Sequence, residues 1–128
     1  KQGTVTFNAT TGKFAGNIDM GTTLANGVYT VKVKSTQFLK TNVPGIQTIA
    51  VGQLNPLPEA VLITGDVTND NQVNILDYNI LMGCYSDFLP AVSCTDANKA
   101  LADITDDGAV NQFDYNLFLR ELNNRGGA

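Results

Sequence analysis

The chain has 128 residues, 43% of them hydrophobic and 16% charged, with eight Lys and Arg, twelve Asp and Glu, and neither His nor Trp. That length makes one ordinary domain or two small ones, and the lack of His removes the commonest general base and every Ser–His or Cys–His nucleophile. No run approaches the roughly eighteen apolar residues of a membrane-spanning helix, and a net charge of −4 leaves no basic footprint for nucleic acid.

From the N-terminus the pattern is β. Val5 and Phe7 alternate with Thr4, Thr6 and Asn8, then Phe14, Gly16, Ile18 and Met20 share a face. Tyr29, Val31 and Val33 alternate with Thr30, Lys32 and Lys34, and residues 46–51 and 59–63 read as further strands. Turn signals separate them at Thr11-Gly12, Ala25-Asn26-Gly27 and Pro44-Gly45. Five or six short strands at such spacing predict a small antiparallel β-sandwich over residues 1–62. Within it, the run from Leu24 to Val31 resembles the L-x-x-G-x-Y-x-V stretch of extracellular Ig-like and carboxypeptidase-regulatory-like modules. Asn8-Ala9-Thr10 matches a glycosylation sequon, a three-residue pattern too short to carry weight.

Residues 53–58 contain two prolines and are too short and stiff for a flexible linker. Leu54, Leu57, Val61 and Ile63 offer apolar surface for docking. Charge changes here: residues 1–65 hold five Lys against Asp19 and Glu59, whereas residues 66–128 hold ten acids against Lys99, Arg120 and Arg125.

A twelve-residue loop is then written twice, at 66–77 (DVTNDNQVNILD) and 103–114 (DITDDGAVNQFD). Side-chain oxygens fall at loop positions 1, 3, 5, 9 and 12: Asp66, Thr68, Asp70, Asn74 and Asp77, then Asp103, Thr105, Asp107, Asn111 and Asp114. The main-chain carbonyls of Gln72 and Ala109 stand at position 7. Calcium takes about six to eight oxygens, and a loop of this length wraps one ion in this alternation. Two ions are therefore expected. Val73 and Val110, both at position 8, are expected to pair the loops. Position 6 is Asn71 in the first loop and Gly108 in the second. Asn tolerates the left-handed turn better than other non-glycine residues, so the first site is expected to be the weaker.

Each loop leads into an amphipathic helix. Leu76, Ile80, Leu81 and Cys84 mark one apolar stripe, and Phe113, Leu117, Phe118 and Leu122 the other. A further helix is predicted over Asp96–Ala102 with Thr95 as its N-cap. Cys84 and Cys94 bracket the connection, and in a secreted-looking chain such a pair predicts a disulfide.

The segment from about Ile63 to Asn124 resembles a type I dockerin, the duplicated calcium module by which extracellular bacterial proteins plug into a cohesin. The resemblance rests on Gly65-Asp66-Val67, Val73-Asn74 and Asp77, and on Ala102-Asp103-Ile104, Asp107-Gly108, Val110-Asn111 and Asp114. Thr at position 3 of both loops departs from the usual Asn. The resemblance implies an α-helical pair of loop–helix units over 63–125, and an N-terminal module like the X-modules that brace some dockerins. It also implies partner choice at loop positions 10 and 11, here Ile75, Leu76, Gln112 and Phe113, with Arg120 on the same outer edge. Leu76 and Phe113 can equally begin the helix core stripes.

These features predict a non-enzymatic, calcium-dependent adaptor that anchors a secreted protein to a cohesin-type receptor. The chain reads as a processed piece of a longer extracellular or cell-surface protein. The alternative is a calcium-stabilised subunit of a self-assembling surface layer or fibre. A carbohydrate-binding role for the β module is weakened by the lack of Trp.

Overall fold

The structure is a computed structural model that describes residues 1–87, 91, 93–123 and 127. The expected end of the second module at residue 125, and part of the stretch between Cys84 and Cys94, lie outside them. The chain forms two compact units interleaved in sequence: Lys1–Tyr29 with Ile46–Leu57, and Thr30–Gly45 with Pro58–Ala128. The sequence reading drew one cut between residues 62 and 63.

In the first unit, β1 (Thr6–Asn8) pairs antiparallel with β2 (Lys13–Ala15), Phe7 opposite Phe14, with ring centroids 5.3 Å apart. Asn8 tightens the turn between them by accepting from Thr10 N at 2.9 Å and Thr11 N at 3.2 Å, and Gly12 turns back with a φ of 68°. Separately, β3 (Gly27–Tyr29) pairs with β7 (Gln47–Ile49). These are two-stranded ribbons. The expected small antiparallel strands are present, and among the described residues they pair two by two without closing into a sandwich. The reason is local: strands of three residues present only one or two side chains per face, and Phe7, Phe14, Val28 and Ile46 remain mostly exposed instead of meeting in a core.

The second unit takes residues from both halves of the sequence. There β4 (Lys32–Val33) pairs with β6 (Thr41–Asn42), and β5 (Gln37–Phe38) pairs with β8 (Thr64–Asp66). The last strand therefore starts at Thr64 rather than running through residues 59–63, although Ile63 O still accepts from Leu39 N at 2.7 Å. The helices α1 (Ile75–Cys84), α2 (Asp96–Ala102) and α3 (Gln112–Glu121) follow, with Thr95 capping α2.

Leu39, Val67, Val73, Leu81, Cys84, Ala102, Ile104, Val110 and Phe118 build one core. Loop positions 2 and 8 of both copies thus point inward, while the oxygen-bearing positions between them are left to the loops. Full burial of each large member contributes about 1.5–3 kcal/mol, and Leu39 adds its share from the N-terminal half of the sequence. Gly65 shows why its place needs glycine: its φ is 105°, and a Cβ there would meet Phe118 and Val73, each at 3.4 Å.

The helical stripes differ in one respect from the sequence reading. Leu81, Cys84 and Phe118 are buried, but Leu76 and Phe113 are 54% and 60% exposed. The first helical turn is aligned by its capping loop, which turns position 12 inward and position 11 out.

Candidate calcium loops and helix faces

Both loops are closed by the same hydrogen bonds. At position 12, Asp77 accepts at Oδ1 from Thr68 N (2.8 Å) and Thr68 Oγ1 (2.9 Å), and at Oδ2 from Asn74 N (2.9 Å). Asp114 repeats this with Thr105 N (2.9 Å), Thr105 Oγ1 (3.0 Å) and Asn111 N (2.9 Å). The paired threonines at position 3 thus donate to the position-12 carboxylate and keep their oxygen lone pairs available. Both carboxylates are fully buried. Each closes a capping box at the start of its helix, a role the sequence reading missed.

The position-9 amides serve the helices as well. Asn74 Oδ1 accepts from Leu76 N, and Asn111 Oδ1 from Phe113 N, each at 2.8 Å. An oxygen so engaged meets an ion through water more readily than directly, which is common at this position of such loops. At position 5, Asp70 and Asp107 are exposed and accept from Gln72 N (2.8 Å) and Ala109 N (2.9 Å). Gln72 is exposed, whereas Ala109 is half-buried. Left-handed backbone recurs at position 4 (Asn69, φ 60°; Asp106, φ 62°) and position 6 (Asn71, φ 69°; Gly108, φ 90°). Asn71 therefore adopts the turn that glycine makes in the second copy.

The loops differ at position 1. Asp103 accepts from Asp107 N at Oδ1 (3.1 Å) and Gly108 N at Oδ2 (2.7 Å). Asp66 accepts at Oδ2 from Asn71 N (3.0 Å) and from the Lys34 ammonium, while its buried Oδ1 has no hydrogen-bond partner. Carboxylate oxygens of Asp103, Asp107 and Asp114 lie within 4.8 Å of one another, a spacing fit to hold a metal ion. Among the described residues no other three metal-ligating side chains gather so closely. An all-oxygen donor set fits a hard cation such as calcium, and the orphaned Asp66 Oδ1 fits a ligand awaiting one.

Residues 34–40 brace both loops. Gln37, at a φ of 68°, donates from its amide to the carbonyls of Ala100, Leu101 and Asp103 at 2.9, 2.8 and 3.1 Å. Its main-chain N–H reaches Asn69 Oδ1 at 3.1 Å, and that of Lys40 reaches Asn71 Oδ1 at 2.6 Å. Sequence reading placed this stretch in the β module. Its one available signal was the excess of lysine in the first half against acid in the second.

Outward, the burial pattern repeats at the 37-residue shift. Ile75, Leu76, Asn79, Met82 and Gly83 are exposed on α1, as are their counterparts Gln112, Phe113, Asn116, Leu119 and Arg120 on α3. Arg120 pairs with neighbouring Glu121 at 2.8 Å. An open groove of about 410 Å³, lined by residues including Ile75, Tyr78, Leu119 and Leu122, runs between these faces. Tyr78 packs on Tyr115 and Phe118, and Tyr85 stands edge-on to Tyr115. Tyr85 also donates to Asp87, whose other oxygen accepts from Gln112 N at 3.3 Å. That hydrogen bond, then burial and the negative charge of Asp87, raise the Tyr85 hydroxyl above its ordinary 10.0. Cys84 and Cys94 form the expected disulfide.

This duplicated loop–helix geometry has a counterpart among known families. Residues 64–123 match the dockerin type I domain. A dockerin is a non-catalytic module for calcium-dependent interaction with a cohesin. The match begins at the first residue of β8, covers both loops and stops beyond α3. No significant match is found among curated proteins or solved structures. No helix among the described residues is long and apolar enough to cross a membrane.

Proposed function

We propose that the chain is a calcium-ordered adaptor that anchors a secreted or cell-surface protein to a cohesin-type receptor. The observation that carries this reading is the duplicated loop: two identically closed oxygen sets, each leading into a helix whose exposed face repeats in the other copy. The dockerin match over residues 64–123 supports it.

Two calcium ions would be held, one by Asp66, Thr68, Asp70, the Gln72 carbonyl, Asn74 and Asp77. The other would be held by Asp103, Thr105, Asp107, the Ala109 carbonyl, Asn111 and Asp114. Calcium supplies positive charge that offsets the crowded carboxylates, so its binding energy becomes folding energy. The protein's own contribution is to fix each helix start, through Asp77 and Asp114, relative to the loop it leaves.

The proposed contact face is Ile75, Leu76, Gln112, Phe113 and Arg120. Three of these are exposed apolar side chains, suited to anchoring a small interface. Because Ile75–Leu76 and Gln112–Phe113 differ, the two halves of the face are not interchangeable. The interaction module is assigned to residues 63–125, with the β module of residues 1–62 lending residues 30–45 to its loops. The disulfide suits an oxidising, extracellular setting.

The test is capture from a surface fraction of the source organism by immobilised chain, with calcium and with EGTA. Calcium-dependent retention of one receptor by a chain that is monomeric in light scattering is the expected result. A second reading, a self-assembling subunit of a surface layer or fibre, draws on the apolar side chains left exposed in the N-terminal unit, among them Phe7, Phe14, Val28 and Ile46. It requires concentration-dependent oligomers in calcium with no other protein present.

A further inference from the structure

The first calcium loop holds a positive charge with no counterpart at the second among the described residues. Lys34 lies 32 residues upstream of Asp66, yet its ammonium rests on Oδ2 of that fully buried carboxylate. The same ammonium donates to Phe38 O at 2.6 Å. Its backbone is fixed on both sides: β4 pairs with β6, and Gln37 ties the turn to the end of α2. This is no loose surface pair. The Lys34 side chain is 28% exposed, and its partner is not exposed at all.

The charges at the two loops differ accordingly. Asp66, Asp70 and Asp77 are offset by one lysine, leaving two negative charges. Asp103, Asp106, Asp107 and Asp114 have no cation hydrogen-bonded to them among the described residues and keep four. The hydrogen bonds match this difference. Position 1 of the second loop is held by main-chain N–H groups at both oxygens, whereas Asp66 divides its role, with Oδ2 held by the protein and buried Oδ1 left open.

We propose that Lys34 is a resident cation of the first loop, holding it in shape without calcium and weakening its calcium affinity, so that the second loop is the calcium-responsive one. The inference rests on reading both loops as calcium sites and goes beyond it. A fixed ammonium on the outer oxygen of Asp66 repels a divalent ion on the inner oxygen. Even at a high effective dielectric, charges a few ångströms apart shift affinity by about tenfold or more. The same ammonium removes much of the carboxylate repulsion that would otherwise open the loop in the absence of metal.

The experiment is calcium titration of the full chain after chelation, followed by calorimetry and by amide resonances of residues 66–77 and 103–114. Wild type is expected to fill the second loop first, with the first loop dispersed in EGTA. Lys34→Met should raise first-loop affinity about tenfold, leave second-loop affinity within about twofold, and abolish first-loop dispersion in EGTA. Lys34→Arg, which keeps the charge, should behave as wild type. Unchanged or weakened first-loop affinity in a Lys34→Met chain that folds in calcium overturns the proposal. If that variant does not fold, the wild-type Lys34 Cε resonance decides: it must move with the first-loop step and not with the second, and a resonance that ignores the first-loop step overturns the proposal. Binding at neither loop overturns the calcium reading and this inference with it. Binding at the second loop alongside a first loop indifferent to Lys34 overturns this inference alone.

Discussion

The side-chain amide of Gln37 donates to the main-chain oxygen of Asp103, the first residue of the second loop, across 66 positions of sequence. The same nitrogen reaches Ala100 O and Leu101 O, so one residue collects the carbonyls that α2 leaves open at its end. Gln37→Ala should therefore destabilise the unit containing the loops by about 1–3 kcal/mol, because it strands carbonyls beside a buried loop residue. Chemical denaturation in calcium measures this. A change confined to calcium affinity, with the midpoint unmoved, would contradict it.

The carboxylates of the second loop separate folding from metal binding. Asp114 is buried and accepts three hydrogen bonds, whereas Asp107 is exposed and accepts one from within its own turn. Asp114→Ala should cost about 1–3 kcal/mol even in EGTA, from the donors it leaves unpaired. Asp107→Ala should stay within about 0.5 kcal/mol in EGTA, yet lose calcium affinity at that loop. Paired melts in calcium and in EGTA distinguish the two. Equal losses in EGTA would show that Asp114 is not the structural member.

Reduction of the Cys84–Cys94 bond should lower stability by about 2–3 kcal/mol, the chain-entropy expectation for so short a connection. Calcium binding should persist, since neither sulfur belongs to a loop. Calorimetry with and without reductant reads the first effect, and calcium titration of the reduced chain the second. A labelled-thiol count of zero in denaturant before reduction is the accompanying check.

Ile75→Asp combined with Gln112→Asp should abolish receptor capture while leaving calcium affinity and amide dispersion intact, because both side chains are exposed and lie outside the core. Anchors of this kind commonly cost about 2 kcal/mol or more when lost from a small interface. Full capture by the double variant would move the contact away from the helix starts. If the self-assembly reading holds instead, the same change alters only the oligomer distribution.

Tyr85 gives a pH signature. Its hydroxyl is raised above 10.0 chiefly by donating to Asp87. The neutral form is favoured in the folded state, so this contribution to stability is complete below the unfolded value. It is lost as pH rises through the higher folded one. Absorbance titration should show a late-ionising tyrosine, and Asp87→Asn should bring that transition to lower pH. A late transition that survives Asp87→Asn belongs to another residue.

The linear sequence determined what is local. Loop spacing, the left-handed tolerance of Asn71, the Thr95 cap and the α2 limits are written in consecutive residues, where turn chemistry and helix period act within a few positions. The disulfide was legible because two cysteines allow one pairing. Tertiary structure decided the rest. No periodicity could place residues 30–45 with the loops, since β5–β8 pairing and burial of Leu39 depend on contacts far apart in sequence. Alternation predicted a sandwich from strands that pair only two by two, because it reports which side chains share a face and not whether a second face covers them. Leu76 and Phe113 fit a buried stripe by spacing, but the capping boxes of Asp77 and Asp114 turn them outward. The ammonium of Lys34 reaches Asp66 only once β4, β5 and β8 have formed, so the cation of the first loop is a property of the fold.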